Sequence, residues 1–358
     1  MASWKDNVRR VEPYVPGEQP KVQNIIKLNT NENPYPPAPG VEAALKAFAS
    51  QDIDLLRKYP DPSASALIDT IAEYYGMDSD QVFVGVGSDD VLAMAFLTFF
   101  NSEKPILFPN ISYSFYPVWA ELYRIPYEKQ PLTDDFKINP EDYYKDNGGV
   151  IFPNPNAPTA LYMKLDAVED IIRHNQDVVV IVDEAYIDFG GTSARDLVNK
   201  YENVLVVQTF SKSRSMAGMR IGYAFGSKAL IKALNDVKFS FNSYTMNATS
   251  LVAGVEAVKD KEYFEEHCKM IVATRERAKE RLTELGFTFP DSKANFIFAK
   301  QEKVPASVLF EELKKRNIFV RYFKQPVIDQ YLRITIGTDD EMEQLFVALK
   351  EIIDGYSI

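Results

Sequence analysis

Val178-Val179-Val180-Ile181-Val182-Asp183-Glu184-Ala185-Tyr186 is an unbroken apolar run that closes on a carboxylate, and Val204-Leu205-Val206-Val207-Gln208 repeats the pattern before Thr209-Phe210-Ser211-Lys212. Short β-branched runs bounded by polar residues read as buried strands. Open α/β sheets gather their ligands at the carboxyl ends of such strands. Asp183 is therefore expected at a site, with Lys212 on the turn that follows the second strand.

Working outward, further strands are expected at Gln81–Val86, Pro105–Phe108, Arg124–Tyr127, Gly149–Phe152 and Ile221–Gly226. With the two central runs they make a seven-stranded, mostly parallel sheet. Amphipathic segments such as Ser63–Tyr75 and Ser88–Phe99 alternate with the strands, so the expected fold class is α/β, a sheet sandwiched by helices. After a long helical region, Lys228–Leu285, a smaller α/β domain is expected. Its strands are Ala294–Ala299, Ile318–Tyr322 and Leu332–Thr335, and its helices Ala306–Arg316 and Asp340–Tyr356. The expected division is an N-terminal segment, 1–45, that joins the small domain and lines the site; a large domain, 46–260; and a small domain, 261–358. The stretch Leu28-Asn29-Thr30-Asn31-Glu32-Asn33-Pro34-Tyr35 is too rich in Asn and Pro for a helix or central strand, and reads as an entry or site-lining loop.

At 358 residues one large domain and a companion are expected, and 46% hydrophobic with 25% charged residues is ordinary for a fully folded globular chain. A net charge of -11 disfavours nonspecific binding to nucleic acid or an anionic membrane. The first residues lack an apolar signal core and no run reaches the length of a membrane span, so a cytoplasmic protein is expected. Cys268 is the single cysteine, which excludes an intrachain disulfide and a cysteine metal cluster. His174 and His267 sit among polar residues and read as surface groups; no metal site is expected. Catalysis must rest on Lys, Asp, Tyr and Arg.

A lone lysine is usually a solvated charge, but here the context argues otherwise. Thr209 and Ser211 bring hydroxyls, and Arg220 a bidentate cation, which together match a phosphate dianion. Gly85-Val86-Gly87-Ser88-Asp89-Asp90 joins a strand to a helix and offers backbone N–H groups to an anion. Alternation would point Asp183 and Glu184 in opposite directions, which weakens a metal-binding reading of that pair. An amine for a Schiff base, a carboxylate for a ring nitrogen and a phosphate cup together suit pyridoxal 5'-phosphate.

These motifs, with Tyr59-Pro60-Asp61-Pro62 and Leu332-Arg333-Ile334-Thr335-Ile336-Gly337-Thr338, run nearly end to end. In that order the chain resembles the fold type I, pyridoxal phosphate-dependent aminotransferases, and within them the histidinol-phosphate aminotransferases. The resemblance implies that Lys212 forms the Schiff base, Asp183 pairs with the ring nitrogen and Tyr186 contacts the ring oxygen. It implies that Gly87, Ser88, Asp89, Thr209, Ser211 and Arg220 form the phosphate cup and that Tyr113 stacks on the ring. It also implies a homodimer, in which Tyr59 reaches the neighbouring site. Substrate is expected to meet Arg333 and Arg321, with Tyr14, Tyr244 and Asn31 beside them.

One motif departs from the family pattern, since Asn156-Ala157-Pro158-Thr159-Ala160 carries Ala157 where an asparagine usually contacts the cofactor oxygen. Either Asn156 replaces that contact by a shift of the loop or Tyr186 carries it alone; Pro158 leaves a cis peptide open. The activity implied is transamination between L-histidinol phosphate and 2-oxoglutarate in histidine synthesis. An aromatic amino acid aminotransferase and a threonine-phosphate decarboxylase share the scaffold. A noncatalytic regulator is disfavoured because Lys212 and Asp183 are both present.

Overall fold

The computed structural model describes residues 3–21 and 24–356. Its larger sheet has seven strands: β2 (Val82–Gly85), β3 (Ile106–Pro109), β4 (Tyr127–Gln130), β5 (Val150–Pro153), β6 (Val180–Asp183), β7 (Val204–Thr209) and β8 (Gly222–Gly226). They lie in the order β2-β8-β7-β6-β5-β3-β4, all parallel except β8, which runs antiparallel to both β2 and β7. Strands β5, β6 and β7 are buried at every position, as a sheet covered on both faces requires.

Helices α1 (Pro39–Gln51), α2 (Ser65–Tyr75), α3 (Ser88–Phe99), α4 (Phe115–Tyr123), α5 (Leu165–Arg173), α6 (Lys228–Phe241), α7 (Ala248–Lys259) and α8 (Lys261–Glu284) follow. One apolar cluster packs Leu67, Ile71 and Val168 against Val180, Val182 and Val206. A second packs Phe96, Tyr116 and Trp119 against Ile151, Ile181 and Val207. Each fully buried side chain of this kind contributes about 1.5–3 kcal/mol.

The second sheet holds β1 (Ile26–Leu28), β9 (Phe287–Thr288), β10 (Phe296–Gln301), β11 (Ile318–Tyr322) and β12 (Leu332–Thr335), in the order β1-β11-β12-β10-β9. Only the β1–β11 pairing is parallel. Helices α9 (Ala306–Lys315) and α10 (Asp339–Gly355) complete this unit, whose core joins Leu28 to Ile297, Leu332, Leu345 and Leu349. Helix α1 runs across residue 45 and its Val41 belongs to the core of the larger sheet, whereas β1 just before it belongs to the smaller one.

One sequence expectation is corrected and one is refined. The strand expected at Arg124–Tyr127 begins at Tyr127, because Arg124 takes a left-handed conformation (φ 62°) that ends α4, and Pro126 delays regular pairing. The long helical region expected at Lys228–Leu285 is made of three helices: Asn247 caps α7 by accepting from Ser250 N–H, and Asp260 caps α8 by accepting from Tyr263 N–H. Among the described residues, no helix is long and apolar enough to cross a membrane, and no group of three or more His, Cys, Asp or Glu is placed to hold a metal ion.

Candidate active site

A cavity of about 620 Å³ opens at the carboxyl edge of the large sheet, where β3, β5, β6 and β7 end, and the small sheet closes its far side. Lys212, Asp183, Tyr186, Ser88, Asp89, Tyr113, Thr209, Ser211, Arg220, Tyr14, Asn31, Arg321 and Arg333 all line it.

Asp183 ends β6 and is buried, its Oδ2 accepting from the Tyr116 hydroxyl at 2.8 Å and its Oδ1 from the Ala185 N–H at 3.3 Å. Burial pushes its carboxyl up to about 6 against these two donors. Among the described residues no cation pairs with it, so a protonated ring nitrogen in the cavity would supply the missing counter-charge. Glu184, next along the chain, faces away and is held by Ser193, the Ala194 N–H and Gln208.

Lys212 lies on the loop after β7. Asn33 Nδ2 donates to the Lys212 carbonyl at 3.0 Å and to that of Ser213 at 3.2 Å, which ties the loop to the N-terminal segment. The ammonium donates to Thr30 O at 3.0 Å. Burial first, and then the charges of Arg333 and Arg220, lower this amine to about 8, against the pull of Glu32 and Asp89. An amine with that value is partly neutral near physiological pH, as attack on a carbonyl demands.

The phosphate end is built from close backbone approach. Gly87 has φ 84°, and a Cβ there would come within 2.5 Å of Arg220 Nη2. A Cβ on Gly222 would meet Gly87 C and Ser88 N at 2.2 Å. Arg220 donates to Ser211 Oγ at 3.4 Å and contacts Asp89 at 3.4 Å, while Tyr113 donates to Asp89 Oδ1 at 2.7 Å. The first N–H groups of α3 face the same space, and an anion there is stabilised by the helix N-terminus. The Asp89 carboxylate is committed to Arg220 and Tyr113, which leaves only its backbone N–H to meet an anion. Glycine-shaped space, hydroxyls, a guanidinium, a partly neutral amine and a carboxylate without a cation fit pyridoxal phosphate.

At the other end, Arg321 on β11 and Arg333 on β12 are register partners. Arg333 donates from Nη2 to Asn29 O at 2.8 Å, and its Nε is buried without a partner. Neither guanidinium has a carboxylate partner among the described residues. Tyr14 stacks on Phe115 with centroids 4.1 Å apart beside them.

Three expected residues stand elsewhere. Asn156 does not line the cavity: its amide donates to Ile111 O and Thr159 Oγ1, both at 3.0 Å, while Ala157 and Pro158 form the wall. Tyr59, 81% exposed, stacks on Tyr244 with centroids 4.5 Å apart, and both lie outside this chain's cavity. Sequence reasoning missed Tyr116, Asn33 and the carbonyls of Asn29 and Thr30. The aromatic run Tyr113-Ser114-Phe115-Tyr116 was a usable signal for Tyr116; a backbone carbonyl leaves none.

Fold and cavity together are those of a pyridoxal phosphate-dependent transferase. A family profile described as aminotransferase class I and II matches residues 23–349, and the chain belongs to that family. It is 55% identical over 350 residues to histidinol-phosphate aminotransferase 1 of Hydrogenovibrio crunogenus, covering 98% of each chain. It is 52% identical to a histidinol-phosphate aminotransferase of Clostridium acetobutylicum, covering 98% of this chain and 99% of the relative. The solved structure of histidinol-phosphate aminotransferase from Sinorhizobium meliloti in complex with pyridoxal 5'-phosphate shares the fold with a TM-score of 0.85 at 22% identity, covering 93% of this chain and 92% of that one.

Proposed function

We propose that the enzyme transfers an amino group between L-histidinol phosphate and 2-oxoglutarate, a step of histidine biosynthesis. The observation that carries this reading is the Arg321–Arg333 pair, two adjacent guanidinium groups without carboxylate partners among the described residues, suited to a phosphate in one half-reaction and a carboxylate in the other. The relatives named above, similar over nearly the whole chain, are named as aminotransferases of histidinol phosphate.

Bound, pyridoxal phosphate supplies a carbonyl carbon to accept the amino group and a protonated ring that takes up the electron pair left when a Cα proton departs. Ser88, Thr209, Ser211 and Arg220 would hold its phosphate, Asp183 its ring nitrogen, Tyr186 its ring oxygen and Tyr113 its face. Tyr116 fixes the Asp183 carboxylate, which needs a donor because burial works against its charge. Lys212 Nζ, held by Thr30 O at the cavity, would take a proton from the Cα of the amino donor in one half-reaction and give one to the Cα of the amino acceptor in the other. Arg321, Arg333 and the Tyr14–Phe115 wall orient the anionic and aromatic parts of the substrate.

We place the site between a large domain, 46–260, and a small one, 261–358, joined by the segment 1–45. We also infer a cytoplasmic homodimer in which Tyr59 meets the neighbouring phosphate; Ile53, Leu55, Leu56, Tyr59, Phe241 and Tyr244 are exposed apolar residues that a partner would cover.

The test is single turnover of the cofactor-loaded protein with L-histidinol phosphate and, separately, L-phenylalanine, followed by absorption. Much faster conversion with histidinol phosphate is expected. Preference for phenylalanine would move the substrate to the aromatic amino acids, which the stacked Tyr14 and Phe115 also suit.

A further inference from the structure

Tyr186 stands at the cavity wall, and the hydrogen bond made to its hydroxyl comes from Asn31, Nδ2 to OH at 2.9 Å. The orientation of that amide follows from its other partner. Thr335 Oγ1 accepts from the Asn31 backbone N–H at 3.1 Å and donates to Asn31 Oδ1 at 3.2 Å. Reversing the amide would leave the Thr335 hydrogen without an acceptor, so the NH₂ group is assigned to the Tyr186 side. Asn31 is held at φ 57°, and its carbonyl accepts from Asn295 Nδ2 at 3.0 Å.

A hydroxyl oxygen that accepts a hydrogen bond donates its own hydrogen more strongly. Burial raises the Tyr186 phenol above its ordinary value, so it keeps that hydrogen to give. With Asn31 occupying the acceptor side, the hydrogen is free to turn toward the cavity, where Ala157 and Pro158 bring no polar side chain.

We propose that Asn31 is a positioning residue for Tyr186, its amide orienting and polarising the hydroxyl so that the phenol donates to the ring oxygen of the bound cofactor, on a wall where Ala157 supplies no donor. The inference rests on the placement of Tyr186 beside that oxygen. The other groups facing Tyr186 are Arg333 on β12, Asp183 on β6, Tyr14 on the N-terminal segment and Lys212, whose Nζ is 5.9 Å from the ring centroid. All stay in place in the variants below.

Asn31→Asp keeps the shape but replaces the donor with an acceptor, so Tyr186 must turn its hydrogen away from the cavity. Asn31→Gly removes the side chain and accommodates the positive φ. The readouts are the pH midpoint of the visible absorption band of the cofactor-loaded protein, and the cofactor dissociation constant measured by titrating the stripped protein. A weaker donor leaves more negative charge on the ring oxygen and holds the neighbouring proton on Lys212 Nζ more tightly, so the midpoint must rise. Tyr186→Phe should raise it by about 1 pH unit, Asn31→Asp nearly as far, and Asn31→Gly by roughly 0.3–0.5 unit, each with weaker cofactor binding. A shift with Tyr186→Phe but none with either Asn31 variant would overturn the inference alone. No shift with Tyr186→Phe would overturn the placement of Tyr186 and the inference with it. Asn31→Gly carries the test if Asn31→Asp does not fold.

Discussion

Arg220 and Arg333 stand at opposite ends of one cavity in different company. Arg220 faces Asp89 and Ser211, so its charge is largely answered by the protein. Arg333 has a backbone carbonyl and two aromatic rings, Phe296 and Phe323, with Arg321 as its register partner and no carboxylate among the described residues. On the proposed function, the Arg220 end would hold the cofactor phosphate and the Arg333 end, with its excess positive charge, the anion of a passing substrate. A buried cation without its counter-charge is costly, and an anionic substrate in the site would offset that cost.

Lys212 lies between the two ends and should show the largest effect. Lys212→Ala is expected to lower turnover by roughly 10⁴-fold or more while the protein still binds some cofactor through its phosphate cup, measured as kcat and as cofactor dissociation constant. Retained wild-type turnover would remove Lys212 from the chemistry.

The contrast between the arginines predicts a split. Arg333→Ala should reduce kcat/KM for an anionic substrate by roughly 10²- to 10³-fold with cofactor affinity nearly unchanged. Arg220→Ala should weaken cofactor binding by on the order of 10- to 100-fold and be largely restored by excess cofactor. Equal effects of both on cofactor affinity would erase the distinction.

Asp183 offers a test through stability. Its carboxyl is raised to about 6 by burial, so the folded, cofactor-free protein binds its proton more tightly than the unfolded chain does. The group therefore costs stability above about pH 6 and nothing below its unfolded value. Asp183→Asn should stabilise the cofactor-free protein at pH 7–8 by about 2–3 kcal/mol, with the gain fading as pH falls from about 6 to about 4 and gone below that, while activity falls. Thermal melts across pH decide it; an Asn variant less stable than wild type at pH 8 would contradict the isolated-charge description.

The smallest effect is kinetic. With Lys212 lowered to about 8, the rate at which stripped protein captures pyridoxal phosphate should rise with pH and level off above that value. A rate still climbing beyond pH 9.5 would mean an amine of ordinary basicity.

The placement of Asp183 and Lys212 at the carboxyl ends of β6 and β7 was legible because strand periodicity is local and both follow strong apolar runs. Arg333 was legible for the same reason, since alternation in β12 turns it away from Leu332 and Ile334. The start of β4 was missed because a helix cap at Arg124 and Pro126 override the β propensity of Ile125. Asn156 was misplaced because which way a loop amide turns depends on partners such as Ile111 O that lie 45 positions away. The Asn31–Tyr186 and Tyr116–Asp183 bonds join residues far apart in sequence, and no local pattern encodes them.

Strand β1 pairs with β11, so Ile26 waits for Ile318. The chain that leaves β1 then supplies the Thr30 carbonyl to Lys212 and the Asn33 amide to the lysine loop. Contacts this distant in sequence form late and slowly. During synthesis the large sheet can assemble with Asp183 and Lys212 in place while the wall made by Asn31, Arg321 and Arg333 is still missing. The cavity is closed only when β1 has met β11 and β11 has met β12, so its far wall waits for the synthesis of Leu332–Thr335.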